Sequence, residues 1–114
     1  MKARWMGMVV ATGLLVAGSA LAADESALAA KSGCLACHQV ATKLVGPAYK
    51  DVAKKYAGDK GAEARLASHV IKGTGPVGMG WMKEGKAALE VMPPNPAVKP
   101  EDAAKLVKWI LGQK

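Results

Sequence analysis

The sequence predicts an all-α domain of about four short helices, with a long Gly/Pro-rich loop between the last two. Three observations carry that class. Alanine, lysine and glycine dominate and Phe is absent, a composition that suits short helices and glycine loops better than a sandwich of β-branched strands. Apolar residues recur at helical spacing in separate segments of the chain. Prolines stand where helices would begin and glycines where they would end. The 114 residues point to one domain, without internal repeats or a low-complexity tail.

Residues 1–22 read as a cleavable export segment. Lys2 and Arg4 form a basic start, Trp5 to Ala17 is apolar or small throughout, and Ala20-Leu21-Ala22 gives a small-x-small cleavage pattern. Cleavage after Ala22 leaves a domain of residues 23–114. The alternative is an uncleaved membrane anchor, but the apolar run falls short of the roughly 20 residues a span needs. Without Lys2 and Arg4, 14 basic residues face 9 acidic ones, so the exported domain carries +5.

Asp24, Glu25 and Ser26 open the first helix, since acidic side chains suit the positive end of a helix. Ala27 to Lys31 continues it, with Leu28 as its main apolar residue. Gly33 permits a close backbone approach to a bound cofactor.

Directly after Gly33 comes Cys34-Leu35-Ala36-Cys37-His38. Two cysteines three apart with a histidine next is the c-type haem attachment pattern. Residues i and i+3 share a helix face, so both sulfurs reach one edge of a haem, and His38 can bind the iron through a ring nitrogen. The same pair could form a disulfide or a thiol redox site in an exported protein. His38 directly after the second cysteine argues for haem.

Val40 to Lys43 leads into the loop Leu44-Val45-Gly46-Pro47. Pro47 is expected in the first turn of a second helix, which runs through Tyr49, Val52, Ala53 and Tyr56 with Lys50, Lys54 and Lys55 largely on its other face. Gly58 to Gly61 ends it. Ala62 to Lys72 reads as the third helix, with Leu66, Val70 and Ile71 on one face and Gly73 as its C-cap. Glycines then punctuate a long loop, with a short helical turn expected between Trp81 and Leu89. Met92-Pro93-Pro94-Asn95-Pro96 is an extended, stiff segment. Pro100, Glu101 and Asp102 start the last helix, whose apolar face carries Leu106, Val107, Ile110 and Leu111 with Trp109 beside them.

A haem held by His38 leaves a sixth iron position to fill. Met79, Met82, Met92 and His69 are the candidates in residues 23–114. Met92 is the choice, because two following prolines stiffen its backbone and limit reorganisation when the iron changes charge. Met79 and Met82 read as gap-filling core residues, and His69 as a packing or surface residue. Methionine raises the iron potential relative to a second histidine and suits electron transfer. A vacant site would instead fit a ligand-binding or peroxidase-like protein.

Gly33 to His38, Val45 to Ala53, Met92 to Asn95 and Leu106 to Leu111 together resemble the short class I cytochromes c of pseudomonads and related bacteria, in the family's order and over nearly all of residues 23–114. The resemblance implies a cytochrome c fold around one covalent haem c, with Cys34 and Cys37 attaching it and His38 and Met92 as axial ligands. It implies that the Pro47 carbonyl accepts a hydrogen bond from His38. It also implies a monomeric periplasmic electron carrier, not an enzyme, with no stable membrane insertion once the export segment is removed. Its partners would be redox proteins with acidic docking patches: respiratory complexes, a terminal oxidase or a nitrite reductase. A free shuttle and a dedicated subunit of one enzyme both remain open. Nucleic acid is a poor partner for an exported chain whose lysines lack an aromatic platform.

Three departures from the family stand out. The loop from Gly73 to Met92 is longer than in its shortest members, which unsettles the match of Trp81 to the tryptophan they place near a haem propionate. Ala29 replaces an aromatic residue that packs on the last helix in some members, so Trp109 is expected to lean on Leu28 or the haem edge. His69 stands where members often carry a basic residue near a propionate.

Overall fold

The computed structural model describes residues 23–114, so the expected export segment and its cleavage point lie outside the described residues. Four α-helices succeed one another: α1 (Ser26–Lys31), α2 (Tyr49–Lys55), α3 (Ala62–Lys72) and α4 (Pro100–Leu111), with a single 3₁₀ turn at Cys34–Ala36 after α1. No strand occurs among the described residues.

The helix ends are set by backbone chemistry more than by side-chain caps. In α1, the Asp24 carboxylate accepts the Ser26 N–H at 2.9 Å. At α2, the first free N–H groups are taken by a distant segment: Tyr49 donates to the Gln39 carbonyl and Lys50 to the Val40 carbonyl, at 2.9 and 3.0 Å. This moves the start of α2. Pro47 was expected in its first turn, but Ala48 is extended (ψ 143°) and is the N-cap, leaving Pro47 outside the helix. α3 starts after Gly61 and ends at Gly73. Gly73 has φ +78°, and a side chain there would also strike the Met92 carbonyl at 2.9 Å. α4 has Pro100 in its first turn with Glu101 and Asp102 behind it, and Lys108 in its last turn.

α4 is the spine of the core, packing on α3, α2 and α1. Ala103, Leu106 and Val107 are essentially inaccessible. Burial of a side chain the size of Leu106 is worth ~1.5–3 kcal/mol. Ala29 is fully buried in the same cluster. Trp109 meets the Tyr49 ring edge-on, with centroids 5.5 Å apart and planes at 75°. Of its two expected neighbours, Leu28 packs against the same core cluster, whereas Trp109 does not line the central cavity where a haem edge would lie; its aromatic partner is Tyr49, reaching in from α2.

Between Trp81 and Leu89 the long loop makes the expected short helical turn, over residues 81–85, without extending into a helix. The Glu84 N–H donates to the Gly80 carbonyl and the Gly85 N–H to the Met82 carbonyl. Gly80 and Gly85, at φ +85° and +71°, bracket the turn and stop its propagation.

Candidate functional site

The helices, the 3₁₀ turn and the long loop enclose an apolar cavity of about 230 Å³, partly open to solvent. Cys34, Cys37, His38, Pro47 and Met92 all lie on its wall.

The 3₁₀ turn places the cysteines. Side chains at i and i+3 eclipse in this geometry, and both thiols are half-buried and not joined to each other. Burial pushes the Cys34 thiol above its ordinary range. Gly33 precedes the turn at φ +77° with no protein atom within 4 Å of a would-be Cβ. It is the left-handed backbone that requires glycine there.

His38 is held on three sides. Its Nδ1 lies 2.8 Å from the Pro47 carbonyl. A carbonyl only accepts, so Nδ1 carries the proton and Nε2 keeps its lone pair. The Tyr49 ring stacks on the imidazole at 5.2 Å and 20°. Behind it, a Cβ on Gly46 would sit 2.3 Å from His38 Cε1, so only glycine lets the backbone approach. Burial lowers the His38 pKa, partly opposed by the Pro47 carbonyl. The imidazole is therefore neutral at neutral pH, the form that binds a metal.

Met92 is half-buried in a segment fixed from several directions. Its N–H donates to Thr74 Oγ1 at 2.9 Å, and its carbonyl accepts the Thr74 N–H at 3.1 Å. Beyond the two prolines, the Asn95 N–H reaches the carbonyls of Val70 and Ile71, both at 3.1 Å, and its side chain donates to the Ser32 carbonyl at 2.8 Å. Residues 92–95 thus lie clamped between α1 and α3.

The other methionines separate. Met79 packs against the core and lines the cavity. Met82 is 55% exposed, which corrects the expectation that it fills the core. Its N–H is committed to the Glu90 carboxylate at 3.0 Å, leaving its side chain outside. Trp81 is buried on the cavity wall, edge-on to Tyr56 at 6.5 Å, with Lys55 Nζ 4.4 Å from its ring centre. His69 also lines the cavity, its Nδ1 3.3 Å from the Gly73 carbonyl. Lys55 pairs with Glu84 at 2.9 Å, and Lys43 donates to the Gly85 carbonyl at 3.1 Å. Lys50 and Lys54 are exposed.

Sequence reasoning missed Glu90 and Thr74 as supports of the site. Desolvation raises the Glu90 pKa, but the N–H groups of Gly80, Met82, Met79 and Trp81 outweigh it and hold the carboxyl below its ordinary range. The alternation of glycines at 78 and 80 was the available signal, since such stretches let successive N–H groups converge on an anion. Tyr49 was placed in its helix but not recognised as the stacking partner of His38.

These residues fit a covalent haem. An apolar cleft carries two free sulfurs on one short turn, a neutral histidine with a lone pair to give, and a clamped thioether. Comparison with known proteins agrees. The family model described as Cytochrome c matches residues 17–114. The chain is 46% identical over 106 residues to cytochrome c-551 of Pseudomonas aeruginosa, covering 93% of this chain and 92% of that one. It is 54% identical over 93 residues to cytochrome c2 of Rhodocyclus tenuis, covering 81% and 95%. The crystal structure of Nitrosomonas europaea cytochrome c552 superposes with a TM-score of 0.65 at 43% identity, over 77% of this chain and 98% of that one. The chain belongs to the cytochrome c family, an all-α electron carrier with one covalently attached haem c.

Proposed function

We propose that the chain is exported, loses residues 1–22, and works in the periplasm as a one-electron carrier rather than an enzyme. Cys34 and Cys37 form the thioether links, and His38 and Met92 are the axial ligands. The haem supplies a one-electron iron couple. The observation that carries the reading is the His38–Pro47 contact at 2.8 Å. It fixes the tautomer and leaves the Nε2 lone pair without a hydrogen-bond partner, as orienting contacts to ligand histidines do. Met92 supplies a polarisable thioether from a segment whose backbone has little freedom to move, which favours rapid electron exchange and a raised potential.

The surface suits transient docking. Exposed Lys50 and Lys54, the +5 charge and the partly exposed Leu35 and Leu44 give a basic surface with apolar spots. Partners are redox proteins with acidic patches: respiratory complexes, a terminal oxidase or a nitrite reductase. Association rates fall as ionic strength rises, because long-range attraction is screened. No helix among the described residues is long and apolar enough to cross a membrane.

The test is a visible spectrum of the purified protein in both redox states. A methionine–iron charge-transfer band at the red end of the ferric spectrum, lost in Met92→Leu, is expected. High-spin ferric haem, or rapid carbon monoxide binding by the reduced protein, overturns the ligand assignment and favours a ligand-binding or peroxidase-like role.

A further inference from the structure

Two thioethers reach the same cavity, Met79 from one arm of the long loop and Met92 from the other. Glu90 joins the arms. Its Oε1 accepts the N–H groups of Met79, at 2.8 Å, and of Gly80, while its Oε2 accepts that of Met82 at 3.0 Å. The approach is close enough that a Cβ on Gly78, at φ +69°, would lie 2.2 Å from Glu90 Cγ. Glu90 stands two residues before Met92. The segment between them and the chain leading into it are otherwise anchored elsewhere: Ala88 and Leu89 donate to the Val45 carbonyl, and Met92 pairs with Thr74. The Met79 arm has no equivalent backbone bond to another segment; its other anchors are apolar, Met79 against the core and the buried Trp81 two residues on. It is flanked by glycines at 78 and 80, whose backbones are intrinsically free. Its polar ties from 79 to 82 across to the Met92 arm all end on one carboxylate.

We propose that Glu90 is a positioning residue that holds Met79 back from the iron, so that Met92 alone serves as the sixth ligand. The proposal rests on the Met92 assignment above. Three charge-assisted N–H bonds fix the backbone of Met79 at the wall. Without them, the Gly78–Gly80 segment samples conformations in which the Met79 sulfur competes. The chain would then populate two ligation states, and an added ligand would displace the sulfur more easily, since local opening controls access to such sites.

The experiment uses the haem-loaded protein and the variants Glu90→Ala, Glu90→Gln and Glu90→Ala/Met79→Leu. Proton NMR of the reduced protein reads the methyl resonances of the ligand methionine, and imidazole titration of the ferric protein reads displacement. Wild type gives one methionine set. Glu90→Ala is expected to give two sets, the second disappearing in the double variant, and imidazole affinity is expected to rise about tenfold or more, as loss of hydrogen bonds to a charged group implies. Glu90→Gln keeps one acceptor oxygen and should fall between, which also covers a failure of Glu90→Ala to fold. A single methionine set in Glu90→Ala, or in Glu90→Gln if that alone folds, overturns the proposal whatever the imidazole affinity does. Wild type without any methionine ligand set instead overturns the Met92 assignment.

Discussion

Replacing Tyr49 with Phe should stabilise the haem-loaded protein. The side chain is 2% exposed, stacks on His38 and meets Trp109 edge-on. Phe keeps all of that ring packing. The change removes only a buried hydroxyl with no hydrogen-bond partner. The polar neighbour of that hydroxyl is the Cys34 sulfur, which as a thioether has no proton to give and is a weak acceptor. An unpaired buried polar group costs ~1–3 kcal/mol. Allowing for the small void left by the oxygen, a net gain of about 1 kcal/mol is expected, or about 4–8 °C in Tm for a domain of this size. The effect should grow at alkaline pH. Burial pushes the phenol pKa upward from 10.0. A group whose folded pKa lies above its unfolded value contributes fully below the unfolded pKa, and that contribution is lost as pH rises past it. Wild type should therefore lose Tm more steeply than Tyr49→Phe as pH rises above about 10, the ordinary tyrosine pKa. Thermal melts by circular dichroism at pH 7 and across that range provide the assay. A fall of more than about 4 °C at pH 7 would show that the hydroxyl has a strong partner in the loaded protein and would refute the reasoning.

Leu106→Ala, at a fully buried position on α4, should cost ~2–5 kcal/mol, read as a lower denaturant midpoint with an unchanged visible spectrum. Gly46→Ala places a methyl 2.3 Å from His38 Cε1 and 2.8 Å from both ring nitrogens. It should cost ~1–3 kcal/mol as overpacking and lower the yield of haem-loaded protein, whereas wild-type yield and spectrum would show that the ring is not confined there.

The parts of the molecule that could be read from the sequence are those specified by neighbours in the chain. α3 begins at Ala62 and ends at Lys72 as expected, because Gly61 and Gly73 punctuate it locally. α4 starts at Pro100 for the same kind of reason. The Cys34–His38 motif carries its own spacing, and its turn forms within five residues. Where reading failed, the cause was a contact between distant segments. Pro47 falls outside α2 because Gln39 and Val40 supply the carbonyls that set the helix start. Met82 faces solvent because Glu90, eight residues on, takes its N–H. Trp109 turns to Tyr49, a residue on another helix, and no periodicity in α4 could announce that partner. Thr74 holds Met92 from 18 positions away, and a lone threonine in a glycine-rich loop gives no sign of it.

The length of the loop between Gly73 and Met92 sets a physical problem that the structure answers. Lengthening a loop costs little closure entropy, since the cost grows only logarithmically. The larger danger is loss of stiffness next to Met92. Surface ion pairs are weak restraints, worth ~0–1 kcal/mol, so the half-exposed Lys55–Glu84 pair and the longer Lys86–Glu84 contact at 3.9 Å cannot carry the restraint. Two stronger devices remain. Trp81 is buried against Tyr56 and the cavity wall, anchoring the middle of the loop by apolar area. Glu90 gathers the N–H groups on either side of that tryptophan onto one carboxylate. The loop is thereby stitched to the Met92 arm at the point where it reaches the cavity. A long exposed surface between Val77 and Leu89 can then vary while the geometry around His38 and Met92 stays fixed.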